Sequence, residues 1–364
     1  MTSLFDNVSL GGLRLPNRVV MAPMSRVRSD REGLATASMA TYYAQRATAG
    51  LIITEGTYPN PVGQSNPLTP GLYTPAQTDS WRQVTSAVHT NGGRVFAQLM
   101  HGGRISHPDT TGHQPVAPSA VAPREVYVFT PTGPQLAPTP RALSTAEVEG
   151  EVESFAAAAR RAIVAGFDGV ELHGANGYLM NQFLSGNTNL RTDRYGGSVS
   201  GHIRFAVEAV AATIDAVGAD RVGLRLSPGA GVGDTVDTDI PAVYGALLAE
   251  LVPLGPAYVH LAGTDDEILL GLRRAWPGTL IVNPSIPGTP VPSNRADAER
   301  WLAQGADLVA FGRAYLANPD LVERFRADLP LAVADLDTYY TGGDDGYLTY
   351  PAYAHPPLTA TASV

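Results

Sequence analysis

Short, continuous apolar runs rich in β-branched residues punctuate the chain, separated by longer stretches with helical spacing. The runs at Arg18–Met21, Leu51–Thr54, Val95–Leu99, Gly169–Leu172, Val222–Leu226, Tyr258–Leu261, Leu280–Val282 and Leu308–Phe311 predict eight strands. They are apolar throughout rather than alternating, the pattern of parallel strands covered on both faces. Between them, Ile203, Ala206, Val207, Val210, Ile214 and Val217 share one helical face, and Gly218 follows as a stop. Ile240, Val243, Tyr244, Leu247, Leu248 and Leu251 form a second stripe. Ser144-Thr145-Ala146-Glu147 reads as a capping box before an alanine-rich helix. Asn318-Pro319 reads as a cap and first-turn proline ahead of Leu321, Val322 and Phe325. Eight alternating β and α units predict an α/β fold, a closed (β/α)8 TIM barrel.

Two connections exceed simple turns: Met100 to Leu143, rich in proline, and Gly174 to about Val199. They follow strands 3 and 4 at the strands' C-terminal ends, where barrel active sites are built. A barrel of this kind reaches 364 residues without a second domain. The expected division is one domain over residues 1–353 and a flexible tail over 354–364.

Composition narrows the chemistry. The net charge is −9 with no basic cluster, which argues against nucleic acid and anionic membranes as partners. No apolar run is long enough to span a bilayer, and the start lacks a basic segment followed by an apolar one. The cytoplasm is therefore the expected location. Cysteine is absent, which excludes disulfides, thiolate nucleophiles and cysteine-ligated clusters. Redox chemistry would then need an organic cofactor or a metal on nitrogen and oxygen ligands. The histidines show no metal-binding spacing, so no metal site is expected.

Polar residues gather where the strands end: Ser25, Thr54-Glu55-Gly56, Gln98, then Glu171, His173, Asn176 and Tyr178, then Arg225, His260, Asn283 and Gly312-Arg313. Arg225 sits inside an apolar strand. Its guanidinium stays charged, so it needs a partner: either a structural carboxylate such as Glu171 or an anionic ligand at the barrel mouth. Gly312-Arg313 after the eighth strand has the makings of a phosphate site.

These segments resemble the Old Yellow Enzyme family of FMN-dependent NAD(P)H ene-reductases. The resemblance rests on Asn17–Arg26, Ile52–Gly56, Gln98-Leu99, Gly169–Leu179, Asn181–Leu184, Arg191–Ser198, Gly223–Pro228, Phe311–Arg313, Asn318–Leu321, Gly346-Tyr347 and Tyr350-Pro351. It implies non-covalent FMN on the barrel's C-terminal face, with NADPH or NADH as hydride donor. Pro23, Met24, Ser25 and Gly56 would line the flavin. Gln98 would bond its pyrimidine ring, and Arg225 would face N1 and O2. Asn283, Ser285, Gly312 and Arg313 complete the implied cofactor contacts. His173 and Asn176 match the pair that grips the substrate's carbonyl or nitro oxygen, and Tyr178 matches the proton donor. Met100 and Tyr340 are assigned to the substrate pocket. The substrates implied are enones, enals, imides or nitro compounds, acted on by a monomer or homodimer. Nitroester or nitroaromatic reduction is a second activity open to the same site.

Four positions depart from the family pattern. Ser25 stands where many members carry threonine or cysteine, Met100 where many carry tryptophan, and Asn66 near a frequent tyrosine. In Val282-Asn283-Pro284-Ser285 the proline has no N–H to offer a phosphate, which leaves Ser285 for that contact. Two readings from other classes stay open on the residues alone: a flavin-free lyase or isomerase with a phosphate site, and a non-catalytic small-molecule-binding barrel.

Overall fold

The computed structural model describes residues 2–263, 265–284 and 292–353. Eight parallel strands close into a barrel: β1 (Val19–Met21), β2 (Leu51–Thr57), β3 (Val95–Leu99), β4 (Gly169–Gly174), β5 (Val222–Leu226), β6 (Tyr258–Ala262), β7 (Leu280–Asn283) and β8 (Leu308–Phe311). Each pairs with its sequence neighbours, and β8 closes on β1 through Val309, Ala310 and Phe311 against Val19, Val20 and Met21.

Side chains alternate between the two faces of each strand. One set, including Val19, Ile52, Val95, Val170, Leu224, Val259 and Val282, packs outward against the helices in the main core. The inward set fills the lower barrel with Val20, Leu51, Ile53, Phe96, Tyr258, Ile281 and Leu308. An N-terminal hairpin, Val8–Leu10 with Leu13–Leu15, packs into the same cluster through Leu10 and Leu15. Two glycines make room for the large rings: a methyl group at Gly223 would lie 2.2 Å from the Tyr258 ring, and one at Gly169 would lie 2.4 Å from Phe96. Following the same inward parity upward, the side chains turn polar: Gln98, Glu171, His173, Arg225, His260 and Asn283. The barrel is thus an apolar plug with a polar floor laid over it.

All eight expected strands form. Several run further than their apolar runs: β2 reaches Thr57, because after a bulge Gly56 and Thr57 still pair with Gln98 and Leu99. The Ser144 and Glu147 box forms, with Glu147 accepting from the Ser144 N–H at 2.8 Å and donating its own N–H to Ser144 Oγ at 3.3 Å. Gly218, at φ 94°, ends the helix Val199–Val217. The reading of Asn318 needs correction. The helix Leu321–Arg326 begins after Asp320, with no side-chain cap. Asn318 instead ends the preceding helix: its amide donates to Ala314 O and Ala332 O and accepts from the Ala332 N–H. A buried amide that can satisfy three backbone groups ties down the chain better than a cap would.

The long connection after β3 folds a short helix, Pro108–Thr111, and a hairpin, Tyr127–Thr130 with Gly133–Leu136. The one after β4 contains the helix Leu179–Leu184. The expected tail, 354–364, lies outside the described residues. No described helix is long and apolar enough to cross a membrane.

Candidate active site

The strand register sets three polar residues side by side. His173 on β4 pairs with Arg225 on β5, which pairs with His260 on β6. Glu171, two residues before His173, pairs with Gln98 on β3. Their side chains form one buried network. Gln98 donates to Glu171 Oε1 at 2.8 Å, and the other Glu171 oxygen lies 2.8 Å from His260 Nδ1. Arg225 Nη1 approaches His260 Nε2 at 2.5 Å, and Nη2 donates to Asn283 Oδ1 at 3.0 Å. Because guanidinium can only donate, His260 Nε2 accepts and the ring proton sits on Nδ1, facing Glu171. Burial, then Arg225, pulls the His260 pKa down to about 4, so the ring is neutral at pH 7. Burial would raise the Glu171 pKa, but His260 and Arg225 outweigh it and hold the carboxyl below its usual range. Of the two structural outcomes for Arg225, the direct pair with Glu171 does not form; His260 stands between them.

A cavity of about 480 Å³ opens above this floor, within the range of small-molecule sites. Pro23, Met24 and Ser25, from the loop after β1, form one wall. Gly56, Gln98, Met100, Arg225, Asn283 and Arg313 also line the cavity. His173, Asn176, Tyr178 and Tyr340 complete it. Gly312 is beside Met24 and next to Arg313, without lining the cavity. It precedes a short helix, Arg313–Ala317. Ser285 lies outside the described residues. Met100 follows the last residue of β3 and lies against Gly56, where a methyl group would sit 2.6 Å from the methionine sulfur. Among the described residues there is no cluster of side chains able to hold a metal ion.

The end of β4 contributes His173 to this space, and the loop after it contributes Asn176 and Tyr178. Asn176 adopts φ 56°, a left-handed conformation that asparagine tolerates, and Gly177 follows at φ 79°. The Asn176 N–H donates to Ser227 Oγ at 2.7 Å, and that of Gly177 to Asn181 Oδ1 at 2.8 Å. Tyr178 then precedes the helix Leu179–Leu184, its ring edge-on to His173 at 5.2 Å between centroids. His173 Nδ1 accepts from the Ala175 N–H at 3.3 Å, which puts the ring proton on Nε2. Burial, then Arg225, depresses the His173 pKa to about 3, so it is a neutral donor. Burial, then Tyr340, raises the Tyr178 pKa, so its hydroxyl keeps its proton at neutral pH.

Some lining residues carried no sequence signal of their own. Val232 and Ala262 lie on the walls, and Tyr339 and Leu316 sit near Arg313. Arg26 is the most consequential. Buried beside Ser25, it donates to Tyr42 Oη, Tyr339 O and Gly346 O at 3.0–3.1 Å, fastening the segment that carries Tyr340. Its place inside the motif after β1 was the available clue.

The cavity fits an FMN ring system on this chain's own chemistry. Arg225 lines it with a fixed charge, and its buried Nε has no hydrogen-bond partner among the described residues. A planar, electron-rich acceptor resting there would satisfy both. Residues 3–266 match the NADH:flavin oxidoreductase / NADH oxidase family. The chain belongs to this family. It is an FMN-dependent oxidoreductase of the Old Yellow Enzyme type, working with a nicotinamide hydride donor. It is 40% identical to 12-oxophytodienoate reductase 1 of Oryza sativa subsp. japonica, over 96% of this chain and 92% of the relative. It is also 40% identical to a probable flavin mononucleotide-dependent alkene reductase of Leishmania infantum, over 94% and 95%. Morphinone reductase in complex with tetrahydroNAD superposes with a TM-score of 0.91 at 40% identity, covering 97% of this chain and 98% of that one. The old yellow enzyme homologue from Zymomonas mobilis gives 0.92 at 36%, covering 97% and 100%. The flavin-free alternatives are thereby disfavoured.

Proposed function

We propose that this Old Yellow Enzyme reduces the C=C bond of α,β-unsaturated carbonyl or nitro compounds, with His173, Asn176 and Tyr178 as the residues that touch substrate. Bound FMN supplies the hydride, after taking it from NADPH or NADH. Pro23, Met24, Gly56 and Gln98 bound the ring's space. Ser25 offers a hydroxyl at its edge, Arg225 a counter-charge beneath it, and Gly312 and Arg313 hold the phosphate, with Asn283 orienting Arg225. Met100 and Tyr340 shape the substrate's side of the cavity.

The observation that carries the reading is the shared cavity of a neutral His173 Nε2–H donor, the Asn176 amide and a protonated Tyr178. Both donors can take the substrate's carbonyl or nitro oxygen. As hydride reaches the β-carbon, negative charge moves onto that oxygen, and preorganised donors stabilise it most at that moment. Tyr178 then gives its proton to the α-carbon. Neutrality of His173 keeps it from surrendering its proton to the oxygen, so it binds rather than titrates. Burial also excludes water from the developing charge.

The enzyme is proposed to act in the cytoplasm, where NAD(P)H is supplied, as a monomer or homodimer. Acid precipitation of the purified protein should release FMN. Anaerobic NADPH should bleach the flavin, and cyclohexenone should restore its colour while giving cyclohexanone. Free FAD, retained pigment, or a reduced flavin indifferent to every activated alkene would overturn the reading.

A further inference from the structure

A second cavity of about 390 Å³ adjoins the first, and Ser25, Tyr178 and Tyr340 wall both. Val27, Leu68, Ile105 and Phe129 are among its other apolar lining residues. None of the described residues lining it carries a charge. The walls come from five separate connections, after β1, β2, β3, β4 and β8, so no single loop accounts for the shape.

Two of these wall residues hold a backbone conformation that disfavours them. Val27 has φ 50° and Leu68 has φ 55°. The left-handed region suits glycine or asparagine and is an outlier for a β-branched or bulky side chain. Both segments are tied by neighbouring contacts: Arg26 N–H donates to Glu55 Oε2 at 3.1 Å, and Leu68 O accepts from the Ser29 N–H at 3.2 Å. Local stability alone would be served better by glycine at both positions. Strain retained at the edge of a reactive site points to a function for the side chains that cause it. At the outer rim, Phe129 from the hairpin and Tyr340 from the C-terminal segment stand 6.0 Å apart between centroids. Both are about half exposed, at 53% and 51%, so the rim is an aromatic pair with apolar surface left in water.

We propose that this side cavity is a subsite for an uncharged apolar arm of the substrate, so that preferred substrates are activated alkenes bearing an aryl or branched alkyl group on the carbon that Tyr178 protonates. The proposal rests on the assignment of Tyr178 as proton donor. Continuity supports it: the arm would leave the alkene at Tyr178, the residue common to both cavities, and meet only uncharged walls. Burying a ring there adds apolar contact that only larger substrates can make, and with it affinity in the transition state.

The test compares 2-methyl-2-cyclohexenone with 2-benzyl-2-cyclohexenone on the FMN-loaded enzyme, using kcat/KM. The benzyl compound should be preferred by about tenfold or more, as expected for burying a phenyl group. Val27→Gly and Phe129→Ala should each cut that preference by about threefold or more. Val27→Gly should also hold or raise the thermal midpoint, because glycine relieves the left-handed strain. A merely structural Val27 would do the reverse, lowering the midpoint and leaving the preference intact. A wild-type preference near one, or one that both variants leave alone, overturns the proposal. So does a change in sedimentation coefficient in Phe129→Ala with the preference unchanged, which would make the rim a contact between copies. If unsubstituted cyclohexenone is turned over, such failure is confined to the side cavity. If it is not, the ene-reductase reading fails first.

Discussion

Arg225 and His260 face each other across β5 and β6, with a guanidinium nitrogen 2.5 Å from His260 Nε2. Glu171 grips the other ring nitrogen at 2.8 Å. The histidine therefore passes the carboxylate's influence to Arg225 without a direct ion pair. It fixes the guanidinium's orientation and leaves Nε unsatisfied beside the cavity.

That arrangement predicts the effect of removing the charge. Arg225→Met should weaken FMN binding and lower the flavin's reduction potential, since the reduced ring loses its counter-charge. Loss of one hydrogen bond to a charged group costs about 1.5–3 kcal/mol, and about 1.4 kcal/mol corresponds to 30 mV for two electrons. A drop of at least about 30 mV is expected in a potentiometric titration of the flavin-loaded variant. An unchanged potential would remove Arg225 from its assigned role.

Ser25 is proposed to tune the same quantity. Its hydroxyl borders the cavity and forms no hydrogen bond among the described residues, so it is available to the ring edge. Ser25→Ala should lower the potential by about 30–65 mV, slow flavin reduction and quicken reoxidation. Threonine at this position should restore the potential, because it restores the hydroxyl.

Much of this floor was legible from one-residue-in-two parity on the strands. The polar positions Gln98, Glu171, His173, Arg225, His260 and Asn283 continue the inward set that is apolar lower in the barrel. What the pattern could not give was partner choice among neighbours. Arg225 was open to Glu171 as a partner, and the register interposed His260. Arg26 was harder still: its acceptors Tyr339 and Gly346 lie more than 300 positions away in sequence. Asn318 failed for a related reason, since its tie to Ala332 outcompetes the local cap that its sequence setting suggests. Local signals identify the residue types; long-range geometry assigns their contacts.

The buried histidines should make stability fall on acidification. Burial lowers His173 to about 3 and His260 to about 4, against about 6.5 when unfolded. Their contribution is complete above about pH 6.5 and is lost as the pH falls toward those values, because the unfolded chain binds the extra protons. Glu55, raised by burial to about 7, acts in the opposite sense: its contribution is present below about pH 4.5 and is lost as the pH rises through 7. The two histidines outweigh it, so the unfolding free energy should decline from pH 6.5 to 4.5. Urea titrations of His173→Asn should show a shallower decline, with about one fewer proton taken up on unfolding. An equal slope in the variant would mean that His173 is not held neutral.

The proposed function assigns Met100 to the substrate's side of the cavity, which it lines. It lies against Gly56 at the end of β3, and its thioether can shift where an indole could not. Met100→Trp should cut turnover of bulky β-substituted enones far more than that of cyclohexenone, with flavin reduction by NADPH little changed. Parallel losses for large and small enones would indicate general damage and remove Met100 from the pocket.

The most direct test follows the two half-reactions of Tyr178→Phe by anaerobic stopped flow. In the proposed reaction the hydroxyl takes part only after hydride has reached the alkene. Reduction of the flavin by NADPH should therefore match the wild type within about twofold, while reoxidation by cyclohexenone should slow by about 10²–10⁴, the usual contribution of a positioned general acid. Equal slowing of both steps, or reoxidation at the wild-type rate, would contradict the assignment of this cavity as a hydride-and-proton site for activated alkenes.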